Sequence, residues 1–159
     1  MRLTSFTDYS LRTLLYLCAH RDKLVTIQDI ADLHNISKNH LMKVVYQLGQ
    51  SGMIETVRGR NGGLRLGREP KDINIGALVR ETETDFHMAE CFDRATDTCP
   101  LTPHCKLKGA LGAATRAYLA ELDKVTLQDM LPGITAATEA AEAGQPAEKP
   151  IRIIRRAAK

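Results

Sequence analysis

The 159-residue chain is 43% hydrophobic and 26% charged, with 4% aromatics and no Trp, so its core must be built mainly from Leu, Ile, Val and Ala, which favours helices. The opening MRLTSFTDYS has no apolar h-region and no stretch is apolar enough to span a membrane, so a cytoplasmic protein is expected, in which four cysteines point to metal ligands or buried thiols rather than disulfides. The net charge of +3 is unevenly spread: residues 1–68 are basic, whereas 81–99 hold Glu81, Glu83, Asp85, Glu90, Asp93 and Asp97 against Arg94 alone.

A first helix is signalled by Ser5 with Asp8 three residues on, a start like a capping box, followed by Leu11, Leu14, Leu15 and Cys18 at helical spacing. It is expected to end near Arg21. A second helix begins at Thr26, with Asp29 at the capping-box position and Ile27, Ile30 and Leu33 on one face, before His34-Asn35-Ile36 turns the chain. Ser37 is a good N-cap for a third helix, Lys38 to Gln50, whose inner face is Leu41, Val44, Val45 and Leu48 and whose stop is Ser51-Gly52. Its outer face carries Lys38, Asn39, His40 and Lys43. Two short helices joined by a tight turn, the second basic at its N-terminal end, fit a helix-turn-helix.

After Gly52 the period changes. Residues 53–57 and 64–66 read as strands around Arg58-Gly59-Arg60-Asn61-Gly62-Gly63, a hairpin signal, and a hairpin after a helix-turn-helix is a wing. Asn74 caps a fourth helix running to about Glu83. The acidic segment from Thr84 to Pro103 has no sustained period. A long helix resumes from Cys105 to Asp123, with the near-heptad stripe Leu107, Leu111, Ala114, Tyr118 and Leu122 suited to pairing with a second subunit, and Thr126 with Asp129 marks a short capped helix. The expected fold class is therefore mainly α with a small β-hairpin wing, a winged helix-turn-helix plus a long dimerisation helix.

The strongest chemical signal is ECFDRATDTCPLTPHC, which places Cys91, Cys99 and Cys105 on one loop punctuated by Pro100 and Pro103. Three such thiolates can converge on one soft metal, and spacing alone leaves zinc and iron–sulfur both open. A zinc site normally shows CxxC pairs, absent here, with His87 and His104 as candidate fourth ligands. Cys18 lies among leucines and reads as core. The proposed contacts to double-stranded DNA are Ser37, Lys38, Asn39, His40 and Lys43 in the major groove, with Arg58, Arg60 and Asn61 of the wing reaching toward the minor groove. A redox enzyme is the rival class, but the chain has no GxGxxG in a Rossmann context, no P-loop and no nucleophile triad. A structural zinc protein that binds DNA without sensing is a second rival.

These residues resemble a family of winged-helix iron-sulfur repressors. The matching segments are MRLTSFTDYSLRTLLYL, ISKNHLMKVVYQLGQSG, VRGRNGGLRLG with INIGALVRETE, and CPLTPHCKLKGAL, together covering about residues 1–131. FTDY and SKNHLMK are the wording of its nitric-oxide-sensing branch. The IscR branch has a His three residues after its last Cys, where this chain has Lys108, and the iron-responsive RirA branch, the alternative, shares the Met88-Ala89-Glu90-Cys91-Phe92 style of loop. The resemblance implies a homodimeric repressor that holds a palindromic operator and carries a cluster, 4Fe-4S rather than 2Fe-2S, on Cys91, Cys99 and Cys105. It also implies Asp8 of the other subunit as fourth ligand, in competition with the plain reading of Asp8 as a helix cap, and Arg12, one turn on, could orient that carboxylate. Nitric oxide is the implied signal, acting by nitrosylation of the cluster and release of DNA. The expected organisation is a DNA-binding domain over 1–83, a cluster loop over 84–105, a dimerisation helix and short capped helix over 105–131, and a disordered tail over 132–159.

Overall fold

Helix α1, Ser5–Ala19, lies at the centre of the fold, with α2, α3 and α4 packed against it. The structure, a computed structural model, describes residues 2–143. The cap of α1 is Thr4, one residue before the Ser5 expected, and its hydroxyl accepts the Thr7 N–H at 3.3 Å. Asp8 is thereby relieved of any capping duty. The helix is buried on several sides, with Leu14, Leu17 and Cys18 in the core, and the hydroxyls of Ser10 and Thr13 are satisfied by the carbonyls one turn back.

Helix α2, Ile27–His34, opens with the expected capping box, in which Thr26 and Asp29 exchange side-chain and backbone bonds. Asn35 then enters the left-handed region at φ 51°, which Asn tolerates better than most residues, and its N–H returns to the Ala31 carbonyl. That turn sets the start of α3, Lys38–Gln50. Ser37 occupies the N-cap position of α3, but its side chain makes no capping bond among the described residues. Leu41, Val44, Val45 and Leu48 of α3 are buried as their spacing predicts.

Gly52, at φ 70°, ends the helical run and leads into the wing: β1, Ile54–Val57, pairs antiparallel with β2, Gly63–Leu66, in the register Ile54 to Leu66 and Val57 to Gly63. At the turn a Cβ on Gly62 would stand 2.2 Å from the Val57 carbonyl oxygen, so only glycine fits there. The hairpin is tied to the helical head by an isolated bridge, with Val25 N–H to the Leu64 carbonyl at 3.0 Å and the reverse bond at 2.7 Å.

Helix α4, Ile75–Thr82, is capped by Asn74, whose Oδ1 accepts the Ala77 N–H at 2.9 Å. The segment that follows is irregular apart from 3-10 turns at Glu90–Phe92 and Thr102–His104. Helix α5, Lys106–Leu122, then leads to a 3-10 turn at Leu127–Met130 with its own capping box from Thr126 and Asp129. Leu127 of that turn is fully buried and bonded to Ile73, which docks the end of α5 back on the head.

The expected disordered tail from 132 is corrected by helix α6, Leu131–Glu142, which packs across α1. Pro132 sits in the first turn of α6, where a missing N–H costs nothing, and the Ala-rich run behind it is strongly helix-forming. The remainder of the expected tail, residues 144–159, lies outside the described residues. No helix among the described residues is long and apolar enough to cross a membrane.

Candidate DNA surface and cysteine site

Ser37, Lys38, Asn39, His40 and Lys43 are all exposed on the first turns of α3, and Arg58, Arg60 and Asn61 are exposed at the tip of the wing. Most other arginines of the basic half are neutralised or bonded: Arg21 to Glu69, Arg65 to Glu55, and Arg68 to the Ser51 carbonyl. Lys38, Lys43, Arg58 and Arg60, by contrast, have no acidic partner among the described residues, and so present uncompensated charge on the head. His40 is steadied by a stacked contact with Tyr9 of α1, ring centres 6.2 Å apart.

Sequence reasoning passed over Met42 and Tyr46. Tyr46 is 71% and Met42 47% exposed, and with Phe6, Asn39, Lys43 and Gln47 they line an open groove of about 940 Å³ along α3. The signal was available in their four-residue separation beside Asn39 and Lys43 on the same face.

The cysteine loop is held by its own short polar side chains. Asp97 accepts the Cys99 N–H at 3.0 Å and the Thr102 hydroxyl at 3.0 Å, while Thr98 donates to Glu90 at 3.0 Å, joining the turn that bears Cys91 to the stretch that precedes Cys99. Asp93 closes a further turn through Ala95 and Thr96, and the Ala95 N–H, then the Thr96 hydroxyl, holds its carboxyl below the ordinary range. Cys105 is the N-cap of α5, and its Sγ accepts the Lys108 N–H at 3.4 Å. Phe92, next to Cys91, faces α5 at Gly112 and lies under the Lys108 ammonium, 6.0 Å from the ring centre. The Phe92 turn and Cys105 therefore both lie against the N-terminal half of α5.

All four cysteines are free; Cys91, Cys99 and Cys105 are half-buried and Cys18 is buried in the core, where loss of solvation pushes its thiol up from the ordinary value. Three accessible thiols on one loop suit a soft metal centre in kind. Among the described residues no group of three His, Cys, Asp or Glu side chains is gathered to hold a metal ion. Asp8 is on α1, gripped by Arg12 through Nε to Oδ1 at 3.1 Å and Nη2 to Oδ2 at 3.0 Å. That fork holds the carboxylate in one orientation. His104 is exposed in the turn before α5, and His87 is exposed with its N–H on Asp85.

The Rrf2 family profile, described as iron-dependent transcriptional regulator, matches residues 3–133. The chain is 56% identical over 132 residues to the HTH-type transcriptional regulator NsrR of Bacillus subtilis strain 168, covering 82% of this chain and 90% of that protein. It is 54% identical over 132 residues to NsrR of Halalkalibacterium halodurans, again covering 82% of this chain and 90% of the relative. Among solved structures, T. potens IscR superposes with a TM-score of 0.66 at 24% identity, covering 94% of each chain, a likeness that bears on the fold alone. The mainly helical architecture with a two-stranded antiparallel wing is the one that structure shares.

Proposed function

This chain belongs to the Rrf2 family of transcriptional regulators, and from that premise we propose that it is a cytoplasmic, homodimeric repressor of palindromic operators that senses nitric oxide through an iron–sulfur cluster. Cys91, Cys99 and Cys105 would hold the cluster, in its 4Fe-4S form, with Asp8 of a second copy as the fourth ligand. Bound there, such a cluster supplies iron open to attack by a small diffusible molecule, most readily where an oxygen ligand replaces a thiolate.

The observation that carries this reading is that three free, half-buried thiols share the one loop that runs into the N-terminus of α5, while Arg12 orients the Asp8 carboxylate on α1. The α5 stripe supports a second copy: Leu107 is 65% exposed, Leu111, Tyr118 and Leu122 are half-buried, and small residues alternate with them. In such a dimer Asp8 ties one subunit's α1 to the other's loop. Because α1 packs directly on α3, the spacing of the two recognition helices follows whether that tie is made. On DNA, the basic residues of α3 enter the major groove and Arg58, Arg60 and Asn61 follow the adjacent minor groove, with half-sites about 34–36 Å apart or a multiple of that.

A second reading, in which iron supply is the signal, is favoured by the family's description as iron-dependent. One experiment addresses both: anaerobically purified full-length protein is analysed for iron and acid-labile sulfide, then titrated with nitric oxide or with an iron chelator while operator binding is followed. The proposal expects iron with sulfide and a loss of binding on the nitric oxide arm. Zinc without sulfide would overturn the cluster, and release by chelator alone would favour the iron reading.

A further inference from the structure

His34, the last residue of α2, holds a buried ring nitrogen, Nε2, with no hydrogen-bond partner among the described residues. A buried polar atom left without a partner is unfavourable, and an orphan of this kind calls for an explanation. A donor that shares the surroundings of His34 is Arg12. With Asp8, Tyr9, His34 and Asn35, Arg12 lines a polar cavity of about 530 Å³ between α1 and the turn that leads into α3. Arg12 and His34 also line a second cavity of about 260 Å³, together with Tyr16 and residues of α6.

The Arg12 guanidinium is at present committed to Asp8 through both carboxylate oxygens. Burial, and then the positive charge of Arg12, pulls the His34 pKa below its ordinary value, with Asp8 opposing, so the ring is neutral at physiological pH and one of its nitrogens can accept a hydrogen bond. Its plane is steadied edge-on by Tyr16, ring centres 6.2 Å apart. Asn35, immediately after it, makes the left-handed turn into α3.

We infer that His34 is a positioning residue that receives Arg12 when Asp8 is engaged elsewhere: as the carboxylate leaves, the guanidinium donates to Nε2 of His34, and a new bond forms at the turn that sets the recognition helix. The inference deepens the proposed function, since it rests on the reading of Asp8 as a ligand donated to a second copy. The exchange itself involves only Asp8, Arg12 and His34 of one chain and moves no proton between them. It gives the state of Asp8 a direct route to α3 that does not pass through the hydrophobic core.

The test uses the full-length, metal-free chain. Asp8→Ala releases Arg12 without any cluster, and side-chain 15N spectra report the histidine nitrogens, with the His34 signals assigned by their loss in His34→Gln. The expected result is an upfield shift of the His34 acceptor nitrogen in Asp8→Ala that vanishes in Asp8→Ala/Arg12→Met. Metal-free operator affinity should rise in Asp8→Ala by up to about tenfold, the worth of one such bond. His34→Phe should cancel that rise, whereas His34→Gln, which keeps an acceptor, should retain part of it. An unchanged His34 signal in Asp8→Ala, or strictly additive effects of Asp8→Ala and His34→Phe on affinity, would overturn the inference. The ligand reading fails separately, if Asp8→Ala keeps its full iron and sulfide content and its normal response to nitric oxide.

Discussion

Glu83, at the end of α4, accepts two hydrogen bonds from Thr4, the cap of α1, with the Thr4 N–H at 2.8 Å and its hydroxyl at 3.1 Å on the same oxygen. The cysteine loop starts one residue later, so this clasp binds the root of the loop to the helix that carries Asp8. Thr4 is exposed and the bonds are partly screened, so Glu83→Ala should lower unfolding stability by about 1 kcal/mol, read as the shift of a urea midpoint. It should also loosen the loop, visible as faster amide exchange at Thr84 and Asp85. An unaltered midpoint and exchange pattern would show that the clasp contributes nothing.

Two glycines should respond in opposite ways to alanine. At Gly62 the added carbon collides with the Val57 carbonyl, so Gly62→Ala should distort the wing and weaken operator binding while the helical head stays folded. At Gly109, inside α5, a Cβ meets nothing within 4 Å, and Gly109→Ala should gain up to about 1 kcal/mol from helix propensity alone. Thermal unfolding together with DNA titration separates the pair, and a wing that tolerates Gly62→Ala at full affinity would contradict the steric argument.

Arg60 has no acidic partner among the described residues and stands at the wing tip, so its charge is available to phosphate. Arg60→Ala should weaken operator binding and lower the slope of log K against log salt by about one. If both affinity and slope are unchanged, the DNA surface lies elsewhere.

Replacing Cys91, Cys99 or Cys105 by Ala should abolish iron and sulfide incorporation and holo-specific binding in a chain that still folds. Cys18→Ala should keep the iron while losing about 1 kcal/mol of stability, because the side chain it shortens is 3% exposed in the core. Normal iron and sulfide in the Cys99 variant would mean that the ligands have been misassigned.

The Arg80 and Asp123 pair, joined through both guanidinium nitrogens, holds the Asp123 carboxyl below its ordinary pKa, chiefly by the Arg80 hydrogen bond. A carboxyl depressed in the folded state adds stability that is present above its unfolded value and is lost as pH falls through the folded one. Asp123→Asn should therefore differ from the native chain at neutral pH and converge with it in acid below the ordinary carboxylate value of about 3.9. Parallel stability curves across that range would show the pair to be energetically idle.

The elements whose local chemistry agrees with their tertiary role were legible in the sequence. The Thr26 and Asp29 capping box, the buried face of α3 and the glycine-closed wing each follow from spacing and turn chemistry. Two features were not. The cap of α1 was misplaced because Ser5 and Thr4 are both good caps, and only the Glu83 clasp from 79 residues away decides between them. Helix α6 was missed because its sequence lacks a strong apolar stripe and its stability depends on docking against α1. Within the candidate site, the cysteines were visible from their spacing alone. The partnerless nitrogen of His34 was not, because it depends on what surrounds the ring rather than on the ring's neighbours in sequence.

The double bridge between Val25 and Leu64 also constrains what regulation can alter. Because the wing is stitched to the segment between α1 and α2, it is held to the same helical head that carries the recognition helix. In the proposed homodimer, a signal acts on two such heads and can alter the distance and twist between them. Operators with an altered spacer should switch responsiveness on or off without any change in the bases each half reads.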